Sequence, residues 1–357
     1  MTHSCGRSDA STMRKVRVRP DVLTSPAERW SFLVAPDSFK GTFSAVDVAA
    51  AISRGLESAG ASADPCPVAD GGEGTTEVLL EALGGELVDV TAHDPLGRPV
   101  KAAFALVEDG DTAIVETAVA SGLGLVAPED REPERASTAG TGELVVAAID
   151  RGARRVLIAV GGSATTDGGA GAIEAISAAG GLRGASLEVL CDVRTPFERA
   201  AEVFGPQKGA DADAVARLTA RLNASAGRLP RDPRGMPMTG CAGGLSGGLW
   251  AAFDAALRSG ASFVLDAVSF DSRARAADAV ITGEGKFDTQ TLDGKLIGEI
   301  GDRCRQARRP LHAIVGSDEL GPDAARAAGL ASVRAATTLE AIEAAARRIP
   351  SSLTAQS

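Results

Sequence analysis

The sequence predicts an α/β fold: a doubly wound, mainly parallel sheet interrupted by a second, inserted α/β domain. Two observations predict it. Short apolar runs that end in polar or acidic residues alternate with segments of helical period at both ends of the chain. Between them lies a stretch of another texture, rich in short strands and tight turns.

Taken in order, "FLVAPDS" (32–38) is a strand candidate, and "FSAVDVAAAISRGLESAG" is a helix that should stop at Gly60. "ADPCPVAD" followed by "GGEGTTEVLLEALGG" repeats the unit, with the strand expected to end at Asp70. After Gly85 the pattern changes to short strands with turns at Asp94-Pro95-Leu96-Gly97 and Asp109-Gly110. "STAGTGELVVAAIDRGA" is a capped helix, and "RRVLIAVGGSATTDGGAGAIEAI" is again strand, glycine loop and helix. "SLEVLCDV" is a strand ending at Asp192, and "GCAGGLSGGLWAAFDAAL" is a glycine-rich loop leading into a helix. From about Ser272 the first rhythm returns with "ADAVITGEG", "RPLHAIVGS" and "ASVRAATT". With the two N-terminal strands these give five strands alternating with helices, a flavodoxin-like pattern. The expected division is 30–83 plus 272–357 for that domain and 84–271 for the insertion. Residues 1–29 are polar and basic without period and are expected to be a disordered tail. They hold no apolar core of a secretory signal.

Composition narrows the function. A formal charge of −10, aromatics at 3% and no tyrosine argue against nucleic acid as a partner. No apolar run approaches the length of a membrane helix. The five cysteines form no C-x-x-C pair, so neither a zinc site nor a disulfide framework is expected, and the setting is read as cytoplasmic. A homodimer is left open.

In open parallel sheets, ligands bind beyond the carboxyl ends of the strands. The loops at those ends carry Asp37, Ser38, Lys40, Asp70, Glu73, Glu284, Lys286, Asp288 and Lys295. Glycines there let backbone N–H groups approach a phosphate, lysines neutralise its oxygens, and carboxylates hold Mg²⁺ or take a proton from a hydroxyl. The set fits phosphoryl transfer better than acyl or hydride transfer. Each piece has a plainer reading too. Asp37 and Asp70 are equally well helix caps. "GGSATTDGG" lacks both the G-K-[ST] of a Walker loop and G-x-G-x-x-G spacing. Cys241 reads as small packing, His93 as decoration of a turn, and His312 as a core residue.

"VAPDSFKG", "VADGGEGT", "STAGTGEL", "GGSATTDGGAG", "CDV", "VFGPQKGA" and "VITGEGKFDTQTLDGK", in this order, resemble the type I glycerate kinase family. The likeness runs from Phe32 to about Thr338. It implies an ATP-dependent kinase of D-glycerate, with a flavodoxin-like domain, an inserted α/β domain, and the active site in the cleft between them. It implies 2-phosphoglycerate as the product. On that reading, Gly161, Gly162, Ser163 and Thr165, with Ser38, bind phosphate or substrate, and Lys40 and Lys295 neutralise the transferring charge. Asp70 and Glu284 hold Mg²⁺ or its waters, and either Asp167 or Asp192 is the base. The chain departs from the family in a shorter stretch between the "GGAG" helix and "CDV", and in Thr195 and Phe197 beyond it. That departure leaves open another small hydroxy acid as acceptor, or a non-catalytic ligand-binding relative. The segment "GEGKFDTQTLDGK" is expected to be an active-site loop starting where "ADAVIT" stops.

Overall fold

The structure, a computed structural model, describes residues 30–288 and 296–354. The expected tail at 1–29 and Lys295 lie outside the described residues.

The chain opens with strand β1 (Ser31–Pro36), a helix (Ala45–Ser58) and strand β2 (Ser62–Pro65), which pairs parallel to β1. The Ser44 hydroxyl caps that helix by accepting from the Asp47 N–H, and Gly60 follows its end at φ +84°. β2 is shorter than expected, ending at Pro65 rather than Asp70. Pro65 and Pro67 have no N–H to give. Cys66 and Val68 still donate to Val34 and Pro36, which keeps the chain extended beside β1 up to the Asp70 loop.

A second sheet follows: β3 (Glu86–His93), β4 (Pro99–Val107), β5 (Thr112–Glu116), β6 (Arg155–Ala159), β7 (Ser186–Cys191) and β8 (Ala256–Ser259), in that spatial order. The first three are antiparallel and the rest parallel. β8 was not expected: "ALRS" looks like the end of a helix, but it pairs with β7 at the sheet edge. The chain then returns to the first sheet with β9 (Ala279–Phe287), β10 (Leu311–Asp318) and β11 (Leu330–Ala335). That sheet is parallel throughout, in the order β11-β10-β9-β1-β2. All strands of the second sheet fall between residues 86 and 259, and all those of the first lie outside that stretch. The unit boundaries at 84 and 271 we propose rather than read off.

Alternation along the strands builds the layers. On the first sheet Phe32, Val34, Ile281 and Ile314 face one way, under helices Ala45–Ser58 and Leu339–Arg347. Leu33, Ala35, Val280 and Val315 face the other way. They join one core with Val107, Ile114, Leu157 and Leu190 of the second sheet. Helices Thr75–Leu83, Gly260–Ala267, Phe270–Ala276 and Leu296–Ala307 supply the rest of that middle layer. Phe104, Val115, Val156, Ile158 and Val189 face outward, under helices Ala139–Asp150, Ala170–Ala178 and Cys241–Phe253. The two sheets therefore share one hydrophobic core.

A second strand differs in length from the sequence reading. β9 does not stop at Thr282 but pairs with β10 as far as Phe287. Glycine makes the extension possible, since a Cβ on Gly316 would lie 2.4 Å from the Gly285 carbonyl oxygen. Glu284 and Lys286 thus sit on a strand, and residues 289–295 of the expected loop lie outside the described residues.

Candidate active site

The site grows from the carboxyl end of β1. The Asp37 N–H donates to the Gly283 carbonyl of β9, which fixes Asp37 beside Glu284 one residue further on. The Ser38 N–H turns back to the Asp37 carboxylate at 2.7 Å. A tight turn, with Thr42 and Phe43 donating to Phe39, buries the Phe39 ring and projects Lys40. The Lys40 ammonium lies 3.0 Å from Asp70 Oδ2, and Asp70 Oδ1 accepts from the Gly72 N–H. Asp70 is therefore both the local turn cap and the partner of a lysine from the next strand end. Asp37, Ser38, Lys40, Asp70, Glu284 and Lys286 line a cavity of about 510 Å³, which Thr337 closes from beyond β11.

The charges are crowded. Burial pushes the Asp37 carboxyl up to about 8, helped by the charge of Asp70 and more weakly by Glu284, against Lys40 and the Ser38 N–H. Asp70, above all, holds the Lys40 ammonium above its ordinary value, with burial opposing and Asp37 and Asp192 assisting. Three neighbouring carboxylates with one lysine form a donor set that a divalent cation would relieve. Among the described residues no group of three or more His, Cys, Asp or Glu forms a ready metal cage.

The second sheet meets this cluster through glycine. The Val160 N–H donates to Gly71 O, and a Cβ on Gly161 would lie 2.5 Å from Gly72 Cα. Gly260 presses on the same loop, where a Cβ would fall 2.3 Å from Asp70 O. The carboxyl ends of β1, β6 and β8 thus converge on the Asp70–Glu73 loop. Asp192, directly after β7, acts by its charge on Lys40 and on Lys208.

Not every expected residue lines the cavity. Ser38, Lys40, Asp70 and Glu284 do, whereas Gly161, Gly162 and Ser163 do not; Gly161 and Gly162 instead abut Gly72 and Glu73 of the neighbouring loop. Thr165 is fully buried, and its hydroxyl has no partner among the described residues. Asp167 accepts from Thr138 N and Oγ1, Gly169 N and Gly171 N, all within 3.1 Å. It stitches together the starts of helices Ala139–Asp150 and Ala170–Ala178. Phe197 is a core residue, its ring seated where Gly168, Gly244 and Gly247 have no side chains. The shortened stretch is the turn 179–185, which passes directly from helix to β7 with Gly180, Gly181, Arg183 and Gly184 at positive φ.

Two site residues escaped the sequence reading of roles. Asp37 reads from sequence as a loop acid or a cap, and its signal is its place at the strand end beside Ser38. Lys208 is 2% exposed and donates to Ser163 Oγ at 3.0 Å and Thr165 O at 2.6 Å. Its signal is a lone lysine between glycines in "GPQKG".

A parallel-sheet edge that gathers carboxylates and a lysine around a cavity, flanked by glycine backbone, defines an α/β enzyme of the group-transfer class. Comparison with known proteins makes this specific. The model of the glycerate kinase family matches residues 32–183 and 177–356. The glycerate kinase of Bacillus subtilis (strain 168) is 42% identical over 325 residues, covering 80% of this chain and 84% of that protein. The glycerate 2-kinase of Escherichia coli (strain K12) is 35% identical over 328 residues, covering 81% and 86%. A crystal structure of a Salmonella typhimurium LT2 protein assigned as glycerate kinase 2 superposes with a TM-score of 0.76 at 34% identity, covering 92% of this chain and 99% of that one. The chain belongs to the glycerate kinase family. It is an enzyme, a kinase, and no described helix is long and apolar enough to cross a membrane.

Proposed function

We propose that this kinase transfers the terminal phosphoryl group of ATP, carried with Mg²⁺, to D-glycerate and yields 2-phosphoglycerate. The observation that carries the reading is the Asp37–Lys40–Asp70–Glu284 cluster around one cavity, at the edge where ligands of parallel sheets bind. Lys40, with Lys295, neutralises charge on the phosphoryl oxygens. Asp70 and Glu284 would hold Mg²⁺ or its waters, and the ion would offset charge on the phosphate oxygens. Gly161, Gly162 and Ser163 present N–H and hydroxyl donors from the opposite sheet. Thr165, being buried, serves this loop by packing and through its carbonyl bond to Lys208. For the base we favour Asp192 over Asp167, whose carboxylate already accepts four hydrogen bonds. The buried free thiols Cys66, Cys191, Cys241 and Cys304 support a reducing, cytoplasmic setting.

The test is ADP release by the purified protein with Mg²⁺, ATP and D-glycerate. Release well above the control without acceptor is expected. Folded protein with no such release would overturn the reading, and a better kcat/KM on another hydroxy acid would reassign the acceptor.

A further inference from the structure

We infer that Lys208 is a positioning residue that turns the Ser163 hydroxyl into a polarised hydrogen-bond donor for an anionic oxygen of the substrates. The inference rests on the function proposed above and goes one residue behind the site.

Lysine can only donate, so in the 3.0 Å contact the Ser163 oxygen accepts. The hydroxyl proton must then point elsewhere, and among the described residues no acceptor takes it. The oxygen that carries it is fixed in place. Leu123 N–H donates to Gly162 O, Ala164 N–H donates to Ser121 O, and Ser163 bridges to Gly122. Ser163 keeps 7% of its surface open, while Lys208 keeps 2%. Ser163 is therefore the less buried residue of the pair, and Lys208 packs behind it.

A neutral donor would pin this loop with far less desolvation than an ammonium. Neither of the atoms that Lys208 bonds is a carboxylate oxygen. A buried charge so placed is useful toward an incoming anion, because an ammonium bonded to the hydroxyl oxygen makes its O–H a stronger donor. Burial pushes the Lys208 ammonium down to about 8, while Asp167, Asp192 and Cys241 work to keep it charged. It therefore remains mainly protonated at neutral pH. The shared ligand chemistry is an anionic oxygen, supplied either by the glycerate carboxylate or by a nucleotide phosphate.

The experiment is a kinetic cycle on the full chain: wild type, S163A, K208M and the double variant. Each is measured with D-glycerate varied at saturating Mg·ATP, and with Mg·ATP varied at saturating D-glycerate. S163A and K208M should each lower kcat/KM by roughly tenfold to a hundredfold, the size of one charge-assisted hydrogen bond. The double variant should be no worse than K208M. A loss confined to the glycerate arm names the carboxylate, and one confined to the nucleotide arm names the phosphate. Independent, additive losses, or a K208M that melts earlier yet keeps both kcat/KM values, would overturn the inference. If K208M does not fold, S163A decides by itself, and unchanged kinetics in both arms overturn it. If wild type shows no turnover, the proposed function has failed instead. Calorimetric binding of Mg·ATP and D-glycerate to wild type and S163A then tests the pair, with weaker binding to S163A expected and equal affinities refuting it.

Discussion

Replacing Asp70 with Asn separates activity from stability. Asn keeps the shape and the acceptor for the Gly72 N–H, so the turn survives. It removes the charge that faces Lys40 at 3.0 Å. Two effects on stability follow, with opposite signs. The lost ion pair involves a lysine side chain that is 52% exposed, so it is worth about 0–1 kcal/mol. Against that, Asp70 is one of the charges crowding Asp37, and its removal relieves a carboxyl held at about 8. The net change in unfolding free energy should stay within about 1 kcal/mol of zero. Catalysis has no such compensation. Lys40 loses the partner that holds it, and the proposed Mg²⁺ site loses a carboxylate. A charge-assisted interaction of about 1.5–3 kcal/mol corresponds to roughly a tenfold to hundredfold fall in kcat. Coupled ADP assays at saturating Mg²⁺, ATP and D-glycerate read the rate, and urea unfolding reads the stability. An unchanged kcat, or a large loss of stability with kcat falling only in step with unfolding, would refute the role given to this cluster.

Glu284→Gln, on a strand rather than a loop, should lower kcat about tenfold or more with little change in melting temperature; full activity at saturating Mg²⁺ would remove Glu284 from the site. Gly161→Ala places a Cβ 2.5 Å from Gly72 Cα, so the backbone must shift and urea unfolding should show a loss of about 1–3 kcal/mol; wild-type stability would show that the two loops do not press together. His312 is buried, and burial together with the Arg334 charge lowers its imidazole from 6.5 to about 4. The unfolded chain binds that proton first, so the contribution to stability is present above about pH 6.5 and is lost as pH falls toward 4, by about 3 kcal/mol. Asp37, raised in the fold, contributes with the opposite sign, its stabilisation fading as pH rises toward 8. The readout is therefore the difference in unfolding free energy between wild type and His312→Gln across pH 4–6.5, and a flat difference would contradict the burial argument.

The parallel sheets were legible because their strands are apolar runs that neighbouring helices must cover, as with "FLVAP" and "HAIV". The charged cavity was legible because Asp37, Lys40, Asp70 and Glu284 each stand at such a run's end. What stayed hidden is tertiary. Gly283–Phe287 has the composition of a loop, and only the alignment of β10 makes it strand. Asp167 looks like a free acid until Thr138, far along the chain, arrives with two donors. Lys208 stands in a turn-rich stretch, and only the turn at Pro206–Lys208 lays it behind Ser163. β8 has so few residues, most of them exposed, that nothing in its pattern separates it from a helix end.

The central claim is that this cavity passes a phosphoryl group from Mg·ATP to the 2-hydroxyl of D-glycerate. Phosphorus and proton NMR of the reaction mixture tests it most directly, because 2- and 3-phosphoglycerate give distinct signals. 2-Phosphoglycerate should accumulate with wild type and be strongly reduced with Asp70→Asn. Accumulation of 3-phosphoglycerate would contradict the assigned hydroxyl, and wild-type and Asp70→Asn proteins making product at the same rate would contradict the assigned site.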